Sequence, residues 1–261
     1  MTQAQLALVT GASSGIGLEL AKQFAQHGYD LVVAAEDDSI HDVPDKLSQW
    51  SSTVQPVQVD LRTPEGVEHL YQSTIEGDRV LAAAALNAGI GRGEMFLKSE
   101  LADDLSIVDL NVRSTVHLAK LVLRDMANRD TGKVLFTSSI AAQMPGSYQP
   151  VYNASKSFIQ SFAAALQDEL RDTAITVTAM MPGPTDTNFF GRAKMVESLM
   201  GKGRKDDPAK VARQGFEALM RGDQKVIVGS VLVKAMGMAN HVLPDSVKAV
   251  GNRVMSRPRG N

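Results

Sequence analysis

The chain has 261 residues, with 27 basic and 29 acidic side chains and a formal charge of −2, which leaves no electrostatic footprint for nucleic acid. It has no cysteine, excluding disulfides and thiolate metal sites, and its histidines (His27, His41, His69, His117, His241) lack ligand-like spacing, so no metal is expected. That length suits one large α/β domain with a well-buried core.

In chain order the first expected strand is Leu6–Thr10, followed by a glycine-rich turn and a helix over Gly15–His27 with apolar spacing for packing on a sheet. Strands are then expected at Asp30–Ala35, Val54–Val59, Val80–Asn87, Lys133–Ser138, Ile175–Met181 and Lys225–Val228. Helices are expected at Pro64–Ile75, Leu101–Asn128, Tyr152–Arg171 and Pro208–Met220. The run Ala82 to Ala85 prefers a helix by propensity, but its place before Asn87-Ala88-Gly89 argues for a strand crowded from both sides. This alternation predicts an α/β fold, a doubly wound, mostly parallel Rossmann-type sheet covered on both faces. Residues 1–229 read as a single dinucleotide-binding and catalytic domain and residues 230–261 as a C-terminal helical extension, with no repeat or composition break between them. The N-terminal stretch has no basic residue before Lys22 and no processed-looking apolar run, so no signal peptide is expected and the cytoplasm is the expected location. The most apolar late stretch, Val226 to Leu243, is broken by Lys234, Asn240 and His241, so no spanning helix is expected.

Two features carry chemistry. Gly11, Gly15 and Gly17 stand in Thr10-Gly11-Ala12-Ser13-Ser14-Gly15-Ile16-Gly17 with the spacing Gly-x-x-x-Gly-x-Gly, between a strand and a helix. Such a turn lets backbone approach a pyrophosphate closely and aims a helix N-terminus at the anion. Far downstream, Tyr152 precedes Lys156 by four residues, which puts both on one helix face. A tyrosine titrates near pH 10, and an ammonium beside it is expected to lower that value into a useful range for proton transfer. Tyr29, Tyr71 and Tyr148 have no lysine four residues on.

With these residues together the chain resembles a short-chain dehydrogenase/reductase of the single-domain kind, from about Ala4 to Gly229. Further segments match that family in order. Asp60-Leu61 falls at the adenine-contacting turn, and Asn87-Ala88-Gly89 at the strand end that supports the glycine loop. Asn111 falls at the helix asparagine, and Pro182-Gly183-Pro184-Thr185-Asp186-Thr187 at the loop that holds the nicotinamide carboxamide. Ser139 precedes Tyr152 by thirteen residues, the family's interval for its serine. The resemblance implies a catalytic set of Asn111, Ser139, Tyr152 and Lys156. Tyr152 would exchange a proton with the substrate oxygen, Ser139 would donate a hydrogen bond to it, Asn111 would hold a water that links Lys156 to solvent, and Lys156 would also bind the nicotinamide ribose. It implies a cofactor site built from Gly11, Ser13, Ser14, Gly15, Ile16, Gly17, Asp60, Leu61, Asn87, Ala88, Gly89, Tyr152, Lys156, Pro182, Gly183, Thr185 and Thr187. Read alone, Ser139 is also a strand-end residue bonding its own backbone, Thr187 a helix N-cap and Asn111 a solvent-facing polar residue.

The implied reaction is hydride transfer between a nicotinamide and a carbonyl or alcohol carbon. A catalytically silent protein on the same fold is the alternative, and a Rossmann-like methyltransferase has no use for the tyrosine–lysine pair. For the cofactor, Ala35 replaces the family's NAD-selecting aspartate and Glu36 its NADP-selecting arginine, while Glu36, Asp37 and Asp38 together oppose a phosphate dianion. NAD is therefore expected, with Glu36 on the ribose, and NADP is the alternative. The substrate is expected among Ile90 to Phe96, Ala141 to Pro150 and Asn188 to Lys205, where Phe189, Phe190, Met195, Leu199 and Met200 suggest a lipophilic small molecule or a helix packing its own apolar face. Lys202, Arg204 and Lys205 read as solvated charges or as a site for a substrate anion. The tail after Gly229 is too apolar to be free, running Val231, Leu232, Val233, Ala235, Met236, Met238, Ala239, Val242 and Leu243 before Pro244 and a second helical piece from Asp245 to Met255 with Arg253, Arg257 and Arg259. It is expected to pack on the substrate side or on a partner subunit of a homodimer or homotetramer, with a lipid surface the least favoured neighbour.

Overall fold

The structure, a computed structural model, describes residues 5–50, 52–77, 79–239 and 244–257. Asn240, His241, Val242, Leu243 and Arg259 lie outside these, as do the side chains of Met238 and Ala239.

The strands are β1 (Leu6–Thr10), β2 (Asp30–Ala35), β3 (Val54–Gln58), β4 (Leu81–Leu86), β5 (Gly132–Thr137), β6 (Ile175–Pro182) and β7 (Lys225–Val228). They form one parallel sheet in the order β3-β2-β1-β4-β5-β6-β7. The direction of winding reverses between β1 and β4, which opens a crevice at their carboxyl ends. Both sheet faces are covered, so the central strands β1 and β4 read as near-continuous apolar runs. Along β1, Leu6 and Leu8 join one core cluster while Ala7 and Val9 join the other.

The helices are α1 (Gly15–Gln26), α2 (Val43–Leu47), α3 (Pro64–Ile75), α4 (Leu101–Val108), α5 (Ser114–Asn128), α6 (Pro150–Glu169), α7 (Phe189–Arg192), α8 (Leu199–Lys202), α9 (Pro208–Arg221), α10 (Val231–Ala239) and α11 (Asp245–Ser256). On one face α1 packs on α9 through Phe24 and Phe216, whose rings meet edge to face at 5.1 Å. On the other, Leu118, Val122, Met126, Ile159 and Ala163 of α5 and α6 fill the core.

The alanine run is a strand: Ala83, Ala84 and Ala85 are fully buried between β1 and β5. There the lack of side-chain bulk outweighs helix propensity. Helix α6 starts at Pro150, before the expected Tyr152, because proline's fixed φ and missing N–H suit a first turn. The helix expected without interruption over Leu101–Asn128 is instead α4, a π-helical turn at Asp109–Arg113, and α5. The wide turn is where Asn111 leaves the helix surface and is buried. Helices α2, α7 and α8 and the 3-10 turns Asp38–Asp42 and Ile140–Gln143 are too short to give a readable periodicity.

Candidate active site

The crevice is a cavity of about 490 Å³ running from the β1 and β2 ends to the C-terminal helix. At its centre the chain turns at Gly11, φ +66°, and Gly15, φ +58°, a left-handed conformation that side chains resist. A Cβ on Gly17 would sit 2.0 Å from the Gly11 carbonyl oxygen, so that glycine is needed for helix-to-strand packing. Ser14 precedes α1 without capping it through its side chain, and Gly15, Ile16 and Gly17 line the cavity. The first-turn amides of α1 therefore form a cradle whose geometry suits an anionic group such as a pyrophosphate.

A hydrogen-bonded node holds this cradle. Thr10 Oγ1 accepts from the backbone amides of Asn87 (2.9 Å) and Ala88 (3.0 Å). Asn87 Nδ2 donates to the Thr10 carbonyl at 3.1 Å, and its Oδ1 accepts from Thr137 Oγ1 at 3.0 Å. Asn87 thus ties the ends of β1, β4 and β5 together. Thr10 and Thr137 were not singled out in the sequence, although a hydroxyl at a strand end beside a glycine loop is a signal for such a node.

At the far end of β2, Glu36 lines the cavity with Asp37, Asp60 and Leu61. Glu36 is bound by a residue the sequence reading did not weigh: Arg62 Nη2 lies 2.7 Å from Glu36 Oε2, and Arg62 Nε lies 2.8 Å from Asp60 Oδ1. The Arg62 hydrogen bond holds the Asp60 carboxyl below its ordinary value against the opposing effect of burial. Asp37 is raised by burial but lowered more by hydrogen bonds from Ser39 and Ser13, ending below its ordinary value. Ser13 donates to Asp37 Oδ2 at 2.8 Å.

At the other end stand Ser139, Tyr152 and Lys156, all lining the cavity. Lys156 is buried and donates from Nζ to the Thr137 carbonyl at 2.8 Å; the nitrogen lies 5.9 Å from the Tyr152 ring centre. Burial lowers its pKa to about 8. Tyr152 departs from expectation: burial pushes its phenol up to about 12, and the hydrogen bond with Ser139 only partly opposes this. Desolvation is the largest effect on the phenol, and the Lys156 ammonium is turned to the Thr137 carbonyl. Ser139 also bonds locally, accepting from the Ala141 amide at 3.1 Å and donating to the Pro182 carbonyl at 3.4 Å.

Asn111 does not line the cavity and is not solvent-facing; it is buried behind Gly89. Its Oδ1 accepts from the Ile90 amide at 2.9 Å, while Nδ2 donates to the Ile90 carbonyl and to Ser155 Oγ, both at 2.9 Å. A Cβ on Gly89 would lie 3.2 Å from both Asn111 Oδ1 and Lys156 Nζ, a tight fit that would make one of them shift. Asn153, beside Tyr152, donates to the carbonyls of Ala141 and Met144, both at 3.1 Å, and so fastens the loop that carries Ser139 to the tyrosine's helix.

The remaining expected positions Ala88, Pro182, Gly183, Thr185 and Thr187 also line the cavity. Thr187 Oγ1 accepts from the Phe189 amide at 3.3 Å, a cap-like bond, while its methyl group would lie 2.9 Å from a Cβ on Gly15. The substrate end is lined by Met144, Phe189, Phe190 and Met200 together with Met236 and Met255 of the tail. Met195 is buried beneath Phe190 instead, packing its own segment. Lys202 pairs with Glu197, and Lys205 Nζ sits 5.1 Å from the centre of the Phe190 ring. The tail crosses the substrate side: Lys248 Nζ donates to the Gln143 carbonyl (3.0 Å), Asn252 Nδ2 to the Pro145 carbonyl (3.2 Å), and Gln149 Nε2 to Ser256 Oγ (3.1 Å).

Comparison with known proteins agrees with this geometry. The model of the short chain dehydrogenase family matches residues 5–197. Oxidoreductase UcpA of Salmonella typhimurium is 30% identical over 216 residues, 82% of this chain and 79% of its own. A short-chain dehydrogenase from Sphingobium yanoikuyae in complex with NADPH superposes with a TM-score of 0.79 at 25% identity, covering 85% of this chain and 87% of its own. In fold alone, a short chain dehydrogenase/reductase from Burkholderia phymatum in complex with NAD superposes with a TM-score of 0.83 at 21% identity, covering 92% of this chain and 93% of its own. With its glycine cradle and the tyrosine–lysine pair sharing one cavity, the chain belongs to the short-chain dehydrogenase family and is a nicotinamide-dependent oxidoreductase.

Proposed function

We propose that the chain interconverts a lipophilic carbonyl compound and its alcohol, with Tyr152 as the proton-exchanging residue and NAD(H) as the preferred coenzyme. The observation that carries this is the meeting of Ser139, Tyr152 and Lys156 in the same cavity as the glycine cradle. The bound nicotinamide supplies the hydride chemistry; the protein supplies orientation, charge and the proton. Ser139 and Tyr152 offer hydroxyls to one substrate oxygen, where negative charge grows during reduction. A phenol held near pKa 12 is a poor donor until a positive charge assists it, and Lys156 is the buried cation within reach. Its second task is to hold ribose hydroxyls. Asn111 fixes the Gly89–Ile90 backbone beside that ammonium, and its Oδ1 keeps a lone pair for a proton-relaying water.

For the coenzyme, Glu36 stands at the end of β2 with length to reach ribose hydroxyls, and Asp37 beside it opposes a phosphate dianion. Arg62 is the observation on the other side, since a guanidinium released from Glu36 would meet a 2′-phosphate. The Met and Phe lining supports a lipophilic substrate. Exposed Leu101, Leu105 and Val108 form one face of α4, which supports a homodimer or homotetramer assembled there. The expected setting is the cytoplasm; among the described residues no helix is long and apolar enough to cross a membrane.

The test is a panel of apolar aldehydes, ketones and alcohols followed by nicotinamide absorbance with each coenzyme. Turnover with several apolar carbonyls and higher kcat/KM with NADH is expected. Consumption of neither coenzyme with any member would overturn the reading, and a tenfold or greater preference for NADPH would overturn the coenzyme assignment.

A further inference from the structure

Helix α11 is built inside out for a helix on a water-facing surface. Its inner face carries the polar residues Lys248, Asn252 and Ser256, four apart and each hydrogen-bonded to the loop over residues 143–149. Its outer face carries Val247, Val250 and Val254, spaced three and four apart and 52%, 65% and 58% exposed. A surface helix in water shows the reverse pattern, with its apolar stripe against the core. Helix α10 continues the apolar surface with Val231 at 84% and Leu232 at 68% exposed. Beside α11, Arg253 shares a second cavity of about 350 Å³ with the exposed side chains of Phe96 and Leu97.

Charge points to what covers this face. Residues 230–261 carry a net +4, while the rest of the chain carries −6. Asp245 is paired with Lys248 at 2.6 Å, so Lys234, Arg253 and Arg257, all exposed, set the sign of the outer surface. A second copy meeting this patch about a two-fold axis would set cations against cations. The other apolar stripe, on α4, differs: Glu100, Asp103, Asp104 and Asp109 flank it, and they repel an anionic surface. Apolar side chains rimmed by arginine and lysine, on short helices lying along the surface, match the interface of an anionic bilayer.

We propose that α10 and α11 form a docking face for an anionic lipid surface, on which the protein lies without spanning. Met236, Val247 and Met255 belong to this face and also line the catalytic cavity, so the cavity's substrate end opens toward the lipid. An apolar carbonyl compound then passes from acyl chains to Tyr152 along side chains without crossing water. The docking itself rests on the outer face alone and holds whether or not the substrate reading does. It gives the tail's outer face the neighbour least favoured from sequence, because the apolar spacing of the tail was legible but not which face it presents outward.

The experiment is sedimentation of the full chain with vesicles of phosphatidylcholine alone and with roughly 30% phosphatidylglycerol, a fraction that gives a cytoplasmic-leaflet-like surface charge. Binding at least ~10-fold stronger to the anionic vesicles is expected, and it should fall in about 1 M salt, where charges are screened beyond about 3 Å. V250E/V254E should abolish binding while keeping the circular dichroism spectrum, melting temperature and turnover of a water-soluble carbonyl, since neither valine lines the cavity. Equal or absent binding to both vesicles overturns the proposal. So does a V250E/V254E protein that still sediments, or one whose parent is a dimer or open-ended polymer by size-exclusion chromatography and becomes monomeric on substitution, which would make a second copy the occupant.

Discussion

The two ends of the cavity are built by opposite means. The cofactor end is made from strand termini and backbone, stitched by Asn87 and Thr10 across three strands buried in the core. The substrate end is made from short helices and loops outside the sheet, clasped by a tail through side-chain hydrogen bonds such as Asn252 to Pro145. Under the proposed function, the coenzyme sits on strand termini tied into the sheet and the substrate on loops and short helices, the division by which one fold accommodates different substrates. The substrate end is also where local stability should be lowest.

The strongest way to sharpen that contrast is at the junction. Tyr152→Phe keeps the ring and removes the proton, so turnover should fall by about 10²–10⁴-fold with coenzyme affinity unchanged. Steady-state kinetics within a factor of about three of wild type would remove Tyr152 from its role. Lys156→Met, by contrast, should reduce turnover and coenzyme affinity together, measured as kcat and the coenzyme's Kd.

Next in size is the coenzyme end itself. Glu36→Arg places a second guanidinium near Arg62 and should move the ratio of kcat/KM toward NADPH by about tenfold or more, in line with one charge-assisted hydrogen bond gained. An unchanged ratio would make Glu36 a bystander.

Paired alanine substitutions test the contrast directly. Asn87→Ala leaves a buried carbonyl and a hydroxyl without partners and should cost about 1–3 kcal/mol, read by chemical denaturation. Asn252→Ala removes a bond that ties the tail to a loop outside the sheet, so it should cost less global stability than Asn87→Ala and raise KM for the substrate instead. Equal destabilisation by both would erase the distinction between the two ends.

A separate effect is in pH. Folding lowers the Lys156 pKa from 10.5 to about 8, so between those values the unfolded chain holds a proton that the folded chain has released. Stability contributed at this site therefore rises with pH across that window, by at most about 1.4 kcal/mol per unit, and the rise should be absent in Lys156→Met. Tyr152, raised from 10.0 to about 12, acts with the opposite sign, its contribution falling as pH climbs through that range. Melting curves of the two proteins at matched pH decide it.

The same division explains what could be read from sequence. Leu6–Thr10 and Asp30–Ala35 were found with their observed bounds because buried parallel strands are near-continuous apolar runs. The cradle was legible because its geometry depends on glycines next to one another in the chain. Arg62 was not, since its partner Glu36 lies across the sheet, and only the fold brings the two together. The phenol's upward shift was missed for a related reason: helical spacing shows that Tyr152 and Lys156 share a face, but not that the lysine donates to Thr137 or how much water each loses. Tail residues gave their apolar spacing but not their orientation, because α11 is held to the domain by its polar side chains.

The π-helical turn at Asp109–Arg113 makes the length of the α4–α5 segment a counted quantity. Removing one residue there would restore a regular α-helix with the segments on either side nearly in place, because a five-residue wide turn advances about as far round the axis as four α-helical residues, yet it would take away the turn that seats Asn111. Asn111 could then no longer reach both polar groups of Ile90 while Leu118 and Val122 kept their places in the core. Single-residue insertions and deletions should therefore be purged from this segment even where each point substitution is tolerated, leaving a helix that can change its letters but not its number of them.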